Sequence, residues 1–204
     1  MEQRNPISYV HYSGFARKPN DHYATPDWVT EALLRHVRLR GPVWEPCCGT
    51  GAMAEVLSGN GYTVVASDLH DYGYGMPGVD IFACHAMAGE CQSLVTNPPY
   101  GDTGSHKTQE RSPTAMLDFV RHTLSLAEGV DGQVALLVRF QWIAGKRAAS
   151  LLSSTPFVAT VVLTKRIRWF DMGERTNTGQ HHHAWIVFDY QRARGIPPSL
   201  YFAE

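Results

Sequence analysis

The chain has no run of about 18 consecutive apolar residues, and Met1 to Val10 is polar. Neither a membrane-spanning helix nor a signal peptide is expected, and a soluble intracellular protein follows. Its four cysteines, Cys47, Cys48, Cys84 and Cys91, form no CxxC pair and no zinc-like spacing, which points to reduced thiols rather than a disulfide framework. Charge of one sign is also lacking. The chain sets 18 Lys plus Arg against 19 Asp plus Glu, a net of -1, so global attraction to nucleic acid is excluded and any such binding has to be local. Candidate patches are Lys107/Arg111, Arg139/Lys146/Arg147 and Lys165/Arg166/Arg168, each of which also reads as ordinary solvated charge. There is no internal repeat, no low-complexity tract and no GxxxxGK[ST] phosphate loop.

What remains is a globular composition: 204 residues, 44% hydrophobic and 11% aromatic, enough for one domain over 1–204 with a short N-terminal extension, 1–21. Strand-like and helix-like segments alternate. Thr25-Pro26 reads as a helix cap followed by Pro at the first helical position, and Trp28, Val29, Ala32, Leu33 and Val37 recur at helical spacing towards Gly41. Short apolar strands are expected at 42–46, 62–66, 93–96, 134–140, 157–163 and 185–188, with helices at 52–57, from Ser112-Pro113 through Leu124, and at 144–152. This alternation predicts an α/β fold, an open and mostly parallel sheet with helices on both faces, whose ligands sit at the carboxyl ends of the strands.

Two stretches carry chemistry. In EPCCGTG, Glu45 to Gly51, glycines at 49 and 51 permit close backbone approach to a ligand, and the next helix offers free amides. Asp68, at the tip of the next strand, suits both hydroxyls of a ribose. A nucleoside cofactor without pyrophosphate fits this pair. In TNPPYG, 96–101, two prolines end the strand abruptly and hold a stiff, extended shelf.

Together these motifs resemble the S-adenosylmethionine-dependent DNA adenine-N6 methyltransferase family, in its compact phage or prophage form. EPCCGTG is similar to the family's cofactor loop, TNPPYG to its [DNS]PP[YFW] motif, and YATPDWVTEALL to the segment that covers the methionine end. The resemblance implies a Rossmann-like class I methyltransferase, a mostly parallel twisted sheet with an antiparallel late strand and no separate target-recognition domain. It also implies S-adenosylmethionine as cofactor and DNA as partner, inside a bacterial or phage-infected cell. Asn97 through its side-chain oxygen and Pro98 through its carbonyl would accept both hydrogens of an adenine amino group, with Pro99 stiffening the shelf and Tyr100 stacking on a flipped base. Catalysis would then be mainly alignment of nitrogen, methyl and sulfonium.

For the cofactor, the same resemblance implies Glu45, Pro46, Cys47, Gly49 and Gly51 around the methionine, Asp68 at the ribose, Asp80 and Ile81 at the adenine, and Thr25, Pro26 and Asn97 alongside. Asp80 also reads as a loop carboxylate, and Thr25-Pro26 as a plain helix cap. For the substrate, Lys107 and Arg111 lie in a polar segment that suits a flap, while Arg168, Trp169 and Phe170 in RIRWF suit the other face of the base or the core. His181 to His183 would point alternately to opposite faces and so hold no metal. The favoured function is N6-adenine methylation of DNA with little sequence context. The alternatives are a base amine in RNA, a protein glutamine amide, or a non-catalytic binding subunit.

Overall fold

The computed structural model describes residues 24–99, 115–169, 179, 181–193 and 195–204. Its centre is one seven-stranded sheet: β1 (Val43–Glu45), β2 (Val64–Ala66), β3 (Ser93–Thr96), β4 (Gln133–Arg139), β5 (Phe157–Leu163), β6 (His183–Asp189) and β7 (Ser199–Ala203). The order is β2-β1-β3-β4-β6-β5-β7. Every neighbouring pair is parallel except β4/β6 and β5/β6, so β6 alone runs against the rest.

Strand burial explains the continuous apolar runs. Residues 43, 95, 135 and 137 face one layer, built on α1 (Asp27–Leu34) and α2 (Ala52–Gly59). Trp44, Leu94, Leu136 and Val138 face the other, built on α3 (Ala115–Glu128) and α5 (Lys146–Ser153), with the short α4 (Phe140–Ile143) linking β4 to α5. Two-sided burial removes the alternation that a half-exposed strand would show. Trp185 Nε1 donates to Val29 O at 2.9 Å and pins α1 to the sheet.

Three expectations change. Pro26, with φ -61° and ψ 145°, occupies the cap position of α1 itself, and no side chain caps that helix end. The helix also stops at Leu34 rather than near Gly41. Beyond it, after a turn at 35–36, the chain is tied to the sheet: Leu39 is buried, Arg40 N donates to Gln133 Oε1 at 2.8 Å, and the Arg40 guanidinium meets both Asp189 oxygens at 2.9 Å. The edge strand β7 is an addition to the expected set, paired in parallel with β5.

Candidate cofactor and substrate site

Chain order runs from β1 out to the edge strand β2 and back across to β3, the switch in direction that puts a crevice at the carboxyl ends of β1 and β3. The two motifs meet there, EPCCGTG leaving β1 and TNPPYG leaving β3.

Glu45, the last residue of β1, is 2% exposed, and its Oε2 is a buried atom with no hydrogen-bond partner among the described residues. Burial pushes its carboxyl well above the usual range; the Ala54 backbone N–H in the first turn of α2 works against that, and nearby Asp68 adds to it. A buried acceptor at the root of a glycine loop is suited to a cationic group. Asp68 lies one strand over and stitches the loop together: Oδ2 accepts from Gly49 N at 2.9 Å and Oδ1 from His70 N at 2.9 Å. Each oxygen keeps a further lone pair for a ligand hydroxyl. Its structural role was not legible in the sequence, where the carboxylate reads only as a ribose acceptor.

Gly51 has φ +87°, and a Cβ placed there would lie 2.5 Å from the Tyr74 ring. The space that the glycine leaves open on this side is therefore filled by the protein itself. Tyr74 sits on a strap, 67–80, that folds back on β2: Met76 N donates to Ala66 O and Asp68 N to Met76 O, both at 3.0 Å. Gly75 is pressed so tightly that a Cβ would sit 2.7 Å from Ala66 O. The signal for this strap was present as YGYG, an aromatic flanked by glycines that take φ +79° and +65°.

In the remainder of the loop, Pro46 is buried. Burial raises the thiols of Cys47 and Cys48, the latter to about 12, which favours the protonated form of both. Asp80 Oδ1 accepts from Phe82 N at 2.9 Å and caps the 3-10 turn at 81–83, while Ile81 is 6% exposed and belongs to the core against α3. Those contacts hold the turn; they leave Asp80 Oδ2 as the atom available to a ligand.

On the β3 side Asn97 follows the strand directly. Its Nδ2 donates to Thr25 Oγ1 at 3.2 Å, and its Oδ1 is buried with no partner among the described residues. Thr25, 6% exposed, thus holds the Asn97 amide instead of capping a helix. Pro98 is buried and Pro99 half-buried, consistent with a fixed shelf. Tyr100, Lys107, Arg111 and Phe170 lie outside the described residues. Arg168 is exposed, and Trp169, half-buried, meets the His183 ring edge-on at 5.5 Å. Of the three consecutive histidines, His183 is 2% exposed and His182 Nε2 accepts from Arg166 at 3.0 Å.

No family model matches the chain, and no curated protein matches it in sequence. Solved structures match its fold. One is assigned as the modification subunit of a type I restriction enzyme from Vibrio vulnificus, with TM-score 0.53 and 14% identity over 89% of this chain and 47% of that one. Another is the EcoKI M protein of a type I restriction enzyme, with TM-score 0.53 and 16% identity over 82% of this chain and 44% of that one. A third is assigned as an RNA methyltransferase from Pyrococcus horikoshii, with TM-score 0.51 and 14% identity over 83% of this chain and 88% of that one. This chain spans less than half the length of the first two. The fold is that of class I methyltransferases, mostly parallel with a reversed late strand.

Proposed function

We propose that this chain transfers a methyl group from S-adenosylmethionine to the N6 amino group of adenine in DNA. The observation that carries this reading is Asn97: an amide held by Thr25 through its nitrogen, with a buried, unpartnered oxygen on a proline shelf. An adenine amino group is a poor nucleophile because its lone pair is delocalised into the ring. An acceptor at Asn97 Oδ1 and a second at the Pro98 carbonyl draw both amino hydrogens and favour a tetrahedral nitrogen. The lone pair is then free to attack.

The cofactor supplies an electrophilic methyl on sulfur when bound. Glu45 Oε2, a buried acceptor with no partner among the described residues, would take its ammonium, the loop amides around Gly49 its carboxylate end, and Asp68 its ribose. Asp80 Oδ2 would accept from the remaining polar edge, the adenine amine. Nothing in this set calls for a metal or a covalent intermediate, because alignment and two oriented acceptors suffice. The type I modification subunits that share the fold support DNA as substrate. Little sequence context is proposed with it, since each base read in the groove needs its own delivered side chain.

Incubation with methyl-labelled cofactor and, separately, plasmid DNA, RNA and a release factor tests the proposal. Label is expected in DNA as N6-methyladenine, spread over many contexts when modified positions are sequenced. Label confined to RNA or protein overturns the substrate, and a single consensus of several base pairs overturns the low specificity.

A further inference from the structure

Among the described residues the sheet ends at β2 on one side and at β7 on the other, and the two edges are finished differently. Strand β2 is three residues long, and the 67–80 strap bonds back onto it through Met76 N to Ala66 O and the Ser67/Met76 bridge. Strand β7, SLYFA, carries no charge and no proline and runs in unbroken register with β5, so it lacks the devices that ordinarily keep an edge from pairing. Ala203 O accepts from Thr164 N at 2.9 Å on the β5 side. By the alternation of a parallel ladder, the N–H and C=O groups of Leu200 and Phe202 then point away from β5, to the open edge. Both side chains are exposed, and with Ile196 they make three of the six exposed large hydrophobic residues among the described residues, which concentrates apolar surface at this one edge.

Such an edge is satisfied by another extended strand, and the residues of β7 favour a second β7. Antiparallel pairing about a two-fold axis at Tyr201 sets Leu200 opposite Phe202 of the second copy, and Phe202 opposite its Leu200. The residues that point outward are then the ones that exchange hydrogen bonds, two in each pair, and the four apolar side chains meet on one face. Other registers fail. A shift by one residue opposes an outward-pointing residue to an inward-pointing one. A shift by two in one direction brings Phe202 against Pro198, which has no N–H to give. A shift by two in the other brings Leu200 against Glu204, whose carbonyl already accepts from Arg35. Charge agrees with the register that remains. Glu204 of one copy comes opposite Pro198 of the other, beside the Pro197 carbonyl on which the Arg192 guanidinium rests at 2.9 Å. On the α1 face the axis passes Tyr201, which is stacked on His36 with ring centroids 4.8 Å apart.

We propose that β7 is a homodimerisation edge, at which two copies of this chain join their sheets through antiparallel β7–β7 pairing. The contact is isologous, so it closes at two copies and does not propagate. It stands apart from the methyl-transfer reading and does not depend on it. Because β7 runs parallel to β5, and through β6 in the same sense as β4, β3 and β1, antiparallel pairing turns the two carboxyl edges in opposite directions. Neither copy then covers the Asn97 shelf of the other. Two five-residue strands make an interface below the standard size, so the dimer has micromolar rather than nanomolar affinity.

The test is sedimentation equilibrium of the whole protein over concentrations of about 1 to 100 μM. Wild type is expected to pass from the mass of one chain to twice that mass within this range. Leu200→Lys/Phe202→Lys changes two exposed positions, leaves the core alone and sets like charges directly opposite one another. It should raise the dimer dissociation constant by roughly a hundredfold or more. Val130→Lys, at an exposed apolar residue just after α3, should dimerise as wild type does. Tyr201→Cys reads the register: its sulfurs should meet across the axis and cross-link on mild oxidation above the wild-type background, whereas those of Val130→Cys should not. Independently of any variant, the amides of Leu200 and Phe202 should exchange hydrogen more slowly as wild type is concentrated. A wild type that stays monomeric throughout the range, or a dimer that survives the double lysine variant, overturns the proposal. A Tyr201→Cys dimer that does not cross-link overturns the two-fold register. Protected Leu200 and Phe202 amides in a monomeric wild type would put another segment of the same chain on the edge, and this too overturns the dimer.

Discussion

The carboxyl edge of the sheet is divided electrically. On the β1–β2 side stand Glu45, Asp68 and Asp80, buried or half-buried, with Asp68 bonded to the glycine loop through Gly49 N. On the β4–β5–β6 side stand Arg139, Arg166 and Arg168, exposed, with no acidic residue between positions 131 and 171. The two halves differ in burial as well as in sign. Buried carboxylates suit a small cation enclosed by the protein, where each hydrogen bond is strong because water is excluded. Exposed guanidinium groups suit a long polyanion that stays largely in solvent, where many weak contacts add. A net charge near zero thus conceals two oppositely charged regions, with Asn97 between them just past the end of β3.

The sharpest way to break this division is at its midpoint. Asn97→Ala should abolish nearly all methyl transfer, since loss of one oriented acceptor in a dry site raises a barrier by ~3 kcal/mol or more. Cofactor affinity measured by calorimetry should remain near wild type, because Glu45 and Asp68 are untouched. Near-normal turnover would remove Asn97 from the chemistry. Thr25→Val, which takes away the partner of Asn97 Nδ2, should cost less and act on turnover rather than on cofactor affinity.

Asp68→Ala attacks the acidic half alone. Losing charge-assisted bonds to a ribose costs ~1.5 to 3 kcal/mol, or a tenfold to hundredfold weaker cofactor. Because the same carboxylate holds Gly49 N and His70 N, the variant should also melt earlier without cofactor. DNA binding should be unchanged, and a parallel loss there would show that the two halves are not separate.

Much of this arrangement was legible in the sequence because burial on both faces writes itself as apolar runs: β3 and β5 lie where SLVT and FVATVVL place them. Strand β7 was not legible. Its apolar residues Leu200 and Phe202 are the exposed ones, 59% and 64%, while Tyr201 and Ala203 face inward, so its pattern gives no clear buried side. Thr25-Pro26 misled for a different reason. Thr before Pro satisfies the local rules for a helix start, and the long-range bond to Asn97, 72 residues away, leaves no trace in local spacing. The same limit hides the Arg166–His182 pair and the seat of Tyr74 on Gly51. Motifs show which residues are chemically able to act; which of them hold one another is decided by topology.

A smaller effect is expected at that seat. Gly51→Ala places a side chain at φ +87° and against the Tyr74 ring, which should destabilise the fold by about 2 kcal/mol from backbone strain and overpacking together. Tyr74→Ala alone should cost less. In the double variant the steric part disappears while the strain stays, so the two losses should be less than additive in thermal unfolding. Strict additivity would mean that the ring does not rest on the glycine.

The smallest effect, and the one that bears most directly on the ammonium contact proposed for Glu45, is its pH response. Its folded carboxyl is raised above the ordinary 4.5, mainly by burial. The folded protein therefore keeps a proton that the unfolded chain releases. The stability this contributes is fully present below about pH 4.5 and is lost as pH rises through the folded value. Glu45→Gln has no proton to lose, so relative to wild type the cofactor-free variant should gain stability as pH is raised from acid to neutral. A bound ammonium acts in the opposite direction, because it favours the carboxylate and expels the proton. Wild type should then release protons on binding cofactor, seen as a binding heat that varies with the ionisation enthalpy of the buffer. Glu45→Gln should remove that dependence and weaken the cofactor, even as it steadies the free protein. A variant that is steadier but binds cofactor as well as wild type, with the buffer dependence intact, would move the ammonium away from Glu45.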